Sequence, residues 1–277
     1  MKRNFIQNGL ISLVTLSQVF GCAKSAQSSS VVTSGFAMSG SSKTATVAQY
    51  SNKNLFSILL PRANALVPTS MVDSAGSAIT LSSAWVSIKE VEFETSEIKG
   101  VSESAGAEVS FHGPYFVDLL SNTPLTLDTQ IIPQALYRRI KIQLHASGGT
   151  LPSGAPAQLS SNSIVMVGIV ASKNFEFRLN DSTEMNIGGA KSVMPADGGR
   201  ILVEINFADI FKQIDMSTVT NNEIISASNR HTTTCLSIDA SANDVYTCVR
   251  KAIEKRGNFG EDRDNDGVLS SGEDSVK

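Results

Sequence analysis

Apolar and polar side chains alternate over short runs from Val67 to Phe207, and clusters of Gly, Pro, Asn and Ser separate the runs. A period of two puts successive side chains on opposite faces of an extended backbone, so these runs predict strands. Within residues 83–94, Val86 and Ile88 share one phase, while Val91 and Phe93 take the other. One extra residue in a strand produces such a shift, which predicts a β-bulge across Lys89-Glu90. The run 108–120 carries Gly113-Pro114, which should bend the strand or place it at a sheet edge. Ile140, Ile142 and Leu144 alternate with Lys141, Gln143 and His145, as do Phe175, Phe177 and Leu179 with Glu176 and Arg178. Val203, Ile205 and Phe207 alternate with Glu204 and Asn206. Residues 163–171 are apolar in both phases, the pattern of a central strand covered on both faces. Many short strands without long intervening helices predict a mostly β fold, an antiparallel β-sandwich.

One helix is expected, over 243–256, where Val245, Cys248, Val249, Ala252 and Ile253 form a helical stripe. Ser241 or Asn243 can cap its start and Gly257 its end. Residues 22–54 are rich in Ser and show little periodicity, so they read as a disordered tether. A brief apolar run at 55–60 is expected to pack on the domain edge. The chain thus divides into a leader (1–21), the tether (22–54), a β-sandwich domain (55–214) and a C-terminal extension (215–277).

Composition changes the picture at both termini. The net charge of the 277-residue chain is −3, and 41% of it is hydrophobic, enough for a real core. Residues 261–274 hold six acids and one base, leaving the rest near +2. No basic patch points to nucleic acid. At the N-terminus, Lys2 and Arg3 precede the apolar stretch 9–16, which is too short to span a bilayer. Val19-Phe20-Gly21-Cys22 resembles the lipobox of bacterial lipoproteins, which implies lipidation of Cys22 and anchoring to a membrane. Ala23 after that Cys implies, by the family's sorting rule, the outer membrane of a bacterial envelope. Cys235 and Cys248 then remain as a pair that an oxidising compartment would join.

The chemistry-bearing stretch is residues 262–273, D-R-D-N-D-G-V-L-S-S-G-E. It matches the EF-hand calcium-loop pattern: acids at alternate positions, then Gly, then Glu at the twelfth place. Calcium takes six to eight oxygens, so a short loop must offer one at nearly every second residue. Asp262, Asp264 and Asp266 would supply carboxylates, Val268 its carbonyl, Ser270 a direct or water-mediated contact, and Glu273 two oxygens, with Gly267 at the sharp turn. No second loop accompanies it, and such lone extracellular sites bind at ~10⁻⁴–10⁻³ M.

Three segments carry a wider resemblance: Ala84-Trp85-Val86-Ser87-Ile88-Lys89-Glu90-Val91, Tyr115-Phe116-Val117-Asp118-Leu119-Leu120, and residues 132–142 from Ile132-Pro133 to Lys141-Ile142. They resemble an uncharacterised bacterial lipoprotein domain family whose members are similar to transthyretin-like, carbohydrate-binding-like β-sandwiches. The resemblance implies that fold and no catalytic residue. His112, His145 and His231 have no ligand partner at metal-site spacing, and nucleophile-elbow and P-loop motifs are absent. Trp85 and Tyr115 are candidates for a sugar platform or for core positions. The expectation is a non-catalytic binding or adhesion module with a carbohydrate or protein ligand. A structural envelope protein, and a hydrolase whose cleft joins Asp or Glu with His, are the alternatives.

Overall fold

The computed structural model describes residues 31–41, 71–95, 109–121, 124, 126–146, 148–180, 182, 184–236, 241–270 and 272–277. The leader, Cys22 and the run 55–60 lie outside the described residues. The fold is mostly β, in two sheets, with one longer helix. The smaller sheet holds β1 (Val31–Ser41), β5 (Thr126–Pro133), β10 (Gly199–Asn206) and β12 (Asn258–Glu261), in the order β12-β10-β1-β5. The larger is built on β3 (Ala78–Thr95) with β2 (Met71–Val72), β4 (Val109–Asp118), β6 (Tyr137–Leu144), β7 (Ile164–Val170), β8 (Lys173–Leu179), β9 (Glu184–Val193) and β11 (Glu223–Ile225).

β3 organises the larger sheet. Trp85 pairs with both Asp118 and Val165, and Ile88 with both Tyr115 and Leu144. A strand has two edges, so β7 and β6 lie end to end along one edge and β4 takes the other. The register against β6 slips by one residue between Ile88 and Glu90, the expected bulge. A second slip between Leu81 and Ser83 moves the buried set from Ile79 and Leu81 to Ala84 and Val86. β4 pairs with β3 alone, so its Gly-Pro strand is an edge strand. β7 lies between β3 and β8; Ile164, Val165 and Met166 are buried, while Ile169 is exposed. The central position holds, but the cover on both faces ends before Ile169.

Residues 31–41 correct the tether expectation: they form a strand at the centre of the smaller sheet. Val32, Phe36 and Met38 are buried, and so are Ser34, Ser39 and Ser41. Small residues read as linker by composition, yet here they let backbones approach closely. A Cβ on Gly40 would stand 2.5 Å from the Phe207 ring. β1 is also parallel to β10, and β11 is parallel to β8, so the all-antiparallel expectation is corrected.

The two sheets share one core. Phe36 of β1 lies 6.0 Å from Phe93 of β3 and 5.6 Å from Phe111 of β4, ring centre to ring centre. A short helix α1 (Phe207–Phe211), started by the Asn206 side chain accepting from Asp209 N, is too brief to show a helical period. α2 (Val245–Arg256) packs against α1, β9 and β10. Its cap is Asp244, whose carboxylate accepts from Thr247 N at 2.7 Å, in place of Ser241 or Asn243. Gly257 ends it as expected. Cys235 and Cys248 lie at disulfide distance, with Cα atoms 5.8 Å apart, pinning α2 to the segment that bridges Ile214.

The C-terminal extension is woven into the sheets. β12 pairs with β10, Val276 N donates to Phe259 O, and Lys191 N of β9 donates to Val276 O. The last residues thus join the edge of one sheet to the edge of the other.

Candidate metal centre

Residues 262–273 form a loop closed at its base by Glu261 N donating to Asp274 O at 2.9 Å. Asp262 follows β12 directly, and its own N–H donates to Arg200 O, so the first position is fixed by the sheet. The loop then turns its carboxylates inward onto its own amides. Asp262 accepts from Asp266 N and Gly267 N, Asp264 from Asp266 N, and Asp266 from Val268 N. Glu273 accepts from Arg263 N and Ser270 N, each at 2.7 Å, which folds the twelfth position back over the first. Asn265 and Gly267 take positive φ at 57° and 80°, the left-handed turns this wrapping needs. A side chain at Gly267 would also collide with Pro124.

Asp262, Asp264 and Glu273 bring carboxylate oxygens within 4.8 Å of one another, a group that could hold a metal ion. Asp266 stands outside that group. Val268 is buried, and Ser270 is placed by its N–H donating to Glu273 Oε2. Ser39 Oγ of β1 donates to Gly267 O at 2.7 Å, seating the loop on the small sheet. No helix runs into or out of the loop; a strand enters it and an extended segment leaves.

Sequence spacing could not supply the rest of the electrostatics. Arg200 Nη2 pairs with Asp262 Oδ2, both side chains being largely buried, while Arg200 Nε has no partner. Arg263 is turned away from the loop interior to Glu261 and Asp274. Glu261, itself buried, accepts from Ala196 N at 2.8 Å and so ties the turn before β10 to the loop base. A cleft of about 210 Å³ lies there, lined by residues 196–200 and Glu261, Asp262, Arg263 and Asn265. An arginine beside Asp262 offsets part of the charge a cation would use.

The other candidate chemistry resolves differently. Tyr115 sits opposite Ile88 and packs 6.2 Å from Phe36, whereas Trp85 sits opposite Asp118. They lie on opposite faces of the β3–β4 pair, so they form no common sugar platform. His231, isolated in sequence, is held between Glu223 Oε1 at 2.8 Å and Thr218 Oγ1 at 3.0 Å. That order of hydroxyl, imidazole and carboxylate is the geometry of an activated nucleophile. Here the hydroxyl is a β-branched threonine, and the other carboxylate oxygen, Glu223 Oε2, is taken by Thr220 N at 2.7 Å and Thr220 Oγ1 at 2.9 Å. We read the trio as a clamp on the loop 215–231.

The loop 215–231 that this clamp closes gives an acid-dependent stability through Asp215 and Glu223. The Ser217 hydroxyl and N–H hold the Asp215 carboxyl below its ordinary range, against the opposing effect of burial. Burial opposes ionisation of Glu223 too, but bonds from Thr220 and His231 hold it low as well. Both groups bind fewer protons folded than unfolded near pH 4, so their contribution is present above that range and fades as pH falls through the folded values. Asp215→Asn is expected to flatten the acid limb of the melting-temperature profile, and an unaltered limb would contradict this assignment.

Among the described residues no helix is long and apolar enough to cross a membrane. The chain matches no protein-family model, no curated protein and no solved structure.

Proposed function

We propose that this chain is a lipid-anchored protein of the bacterial envelope, attached through Cys22, whose β-rich domain binds one calcium ion in the loop 262–273. The observation that carries the calcium reading is the approach of Asp262, Asp264 and Glu273 oxygens to within 4.8 Å of one another, in a loop with calcium-loop spacing. All three donors are hard oxygens, which suit calcium, and the 12-residue wrap leaves Asp266, Val268 O, Ser270 and water to complete six to eight ligands. The domain is read as a transthyretin- or immunoglobulin-like sandwich acting as a non-catalytic binding or adhesion module. One observation favours a structural role for the ion within it. The loop leaves β12 with Asp262 N donating to Arg200 O of β10 and returns with Asp274 O accepting from Glu261 N of β12, so an ion would tighten the edge where the two sheets meet.

An ion that binds only the folded state stabilises it by about 2.7 kcal/mol at 100 times its Kd. Thermal melts in calcium, in magnesium and in chelator test this. The expected result is a rise in Tm with calcium well above that with magnesium, which demands stricter octahedral geometry. Identical melts in all three buffers would overturn the proposal.

A further inference from the structure

We infer that the end of the domain where β1 begins rests on the lipid surface, with Val31, Ile131, Leu136 and Met194 as its contact. The inference rests on the lipidation of Cys22 proposed above and names what that anchor brings together. Chain length is its first support. Because β1 starts at Val31, only nine peptide steps separate it from Cys22, and at ~3.3–3.6 Å per residue they reach about 30 Å at most. A tether running to residue 54 would have let the domain float free; this one holds the start of β1 close to the bilayer.

The surface at that end is the second support. Val31 and Ile131 are 60% and 72% exposed although both lie in strands. Val31 pairs with Pro133 and Thr33 with Ile131, so the two apolar side chains are diagonal neighbours on the outer face of the small sheet. The β5–β6 connection then presents Leu136, and Val193 pairing with Tyr137 brings Met194 beside it, both exposed. Arg138, exposed, follows with its Nε donating to Gly189 O, and Asp197 is engaged with Thr33 N. Among the described residues, exposed Ile169 lies toward the opposite end. Thr95 pairs with Tyr137 and Thr80 with Ile169, so the length of β3 separates Leu136 from Ile169. A nine-step reach from Val31 therefore favours the first end over Ile169 for a lipid on Cys22.

The test uses the full chain recovered from bacterial membranes and placed in phosphatidylcholine–phosphatidylglycerol vesicles with brominated acyl chains. Ile131→Trp and Ile169→Trp are compared with the parent, whose one tryptophan is Trp85. The expected result is loss of most of the added emission of Ile131→Trp in brominated vesicles, with Ile169→Trp and the parent unchanged. Ile131→Trp as bright as Ile169→Trp on bound protein would overturn the inference. So would a blue-shifted but unquenched signal, which would mean that protein covers the patch. A Cys22→Ser chain that partitions like the parent would instead remove the anchoring reading, and this inference with it.

Discussion

Phe36→Ala is expected to lower the free energy of unfolding by about 3–5 kcal/mol, the cost of deleting a large, fully buried aromatic. The Phe36 ring has no exposed surface and meets Phe93, Phe111 and Tyr115 across the space between the sheets. β1 also carries the hydrogen bonds that join β10 to β5, so a cavity there loosens three strands. Urea unfolding followed by circular dichroism gives the result directly, as a lower midpoint at unchanged slope. Were residues 31–41 a solvated tether, the midpoint would not move.

Asp262→Ala carries the second large effect, and it should appear without any metal. The Asp262 side chain has no exposed surface and the Arg200 side chain is 12% exposed, so removing the carboxylate leaves a buried guanidinium without its counter-charge. Breaking a buried pair from one side typically costs about 3–5 kcal/mol. The same substitution strips the side-chain acceptor of Gly267 N and one of the two acceptors of Asp266 N, loosening the loop. In chelator, Asp262→Ala is expected to melt far below the parent, while Asp264→Asn, at an exposed position, stays near it. Equal melting of Asp262→Ala and the parent would show that the loop hangs free of the sheet.

What the sequence makes legible here follows from how local each signal is. The bulge at Lys89, the edge strand with Gly113-Pro114, the alternating strands β6 and β8, and the stripe of α2 are all written in consecutive residues. So is the loop, because a calcium-type ligand set comes from one short contiguous segment. β1 was hidden for the opposite reason: its Ser, Gly and Ala residues earn burial through close backbone approach, which composition cannot show. Arg200 was equally hidden, reaching Asp262 across 62 residues of chain. The clamp of His231 on Glu223 escaped because its spacing fits no metal-ligand pattern.

The most direct test of the central claim is a calorimetric calcium titration of the parent beside Asp264→Asn/Glu273→Gln. These two positions carry two of the three grouped carboxylates without the buried ion pair of Asp262, so the variant keeps the sheet while losing two anionic ligands. The account predicts one ion per parent chain, at a Kd of about 10⁻⁴–10⁻³ M, and no binding heat in the variant. Parent and variant giving the same isotherm, or neither giving any heat at millimolar calcium, would contradict it.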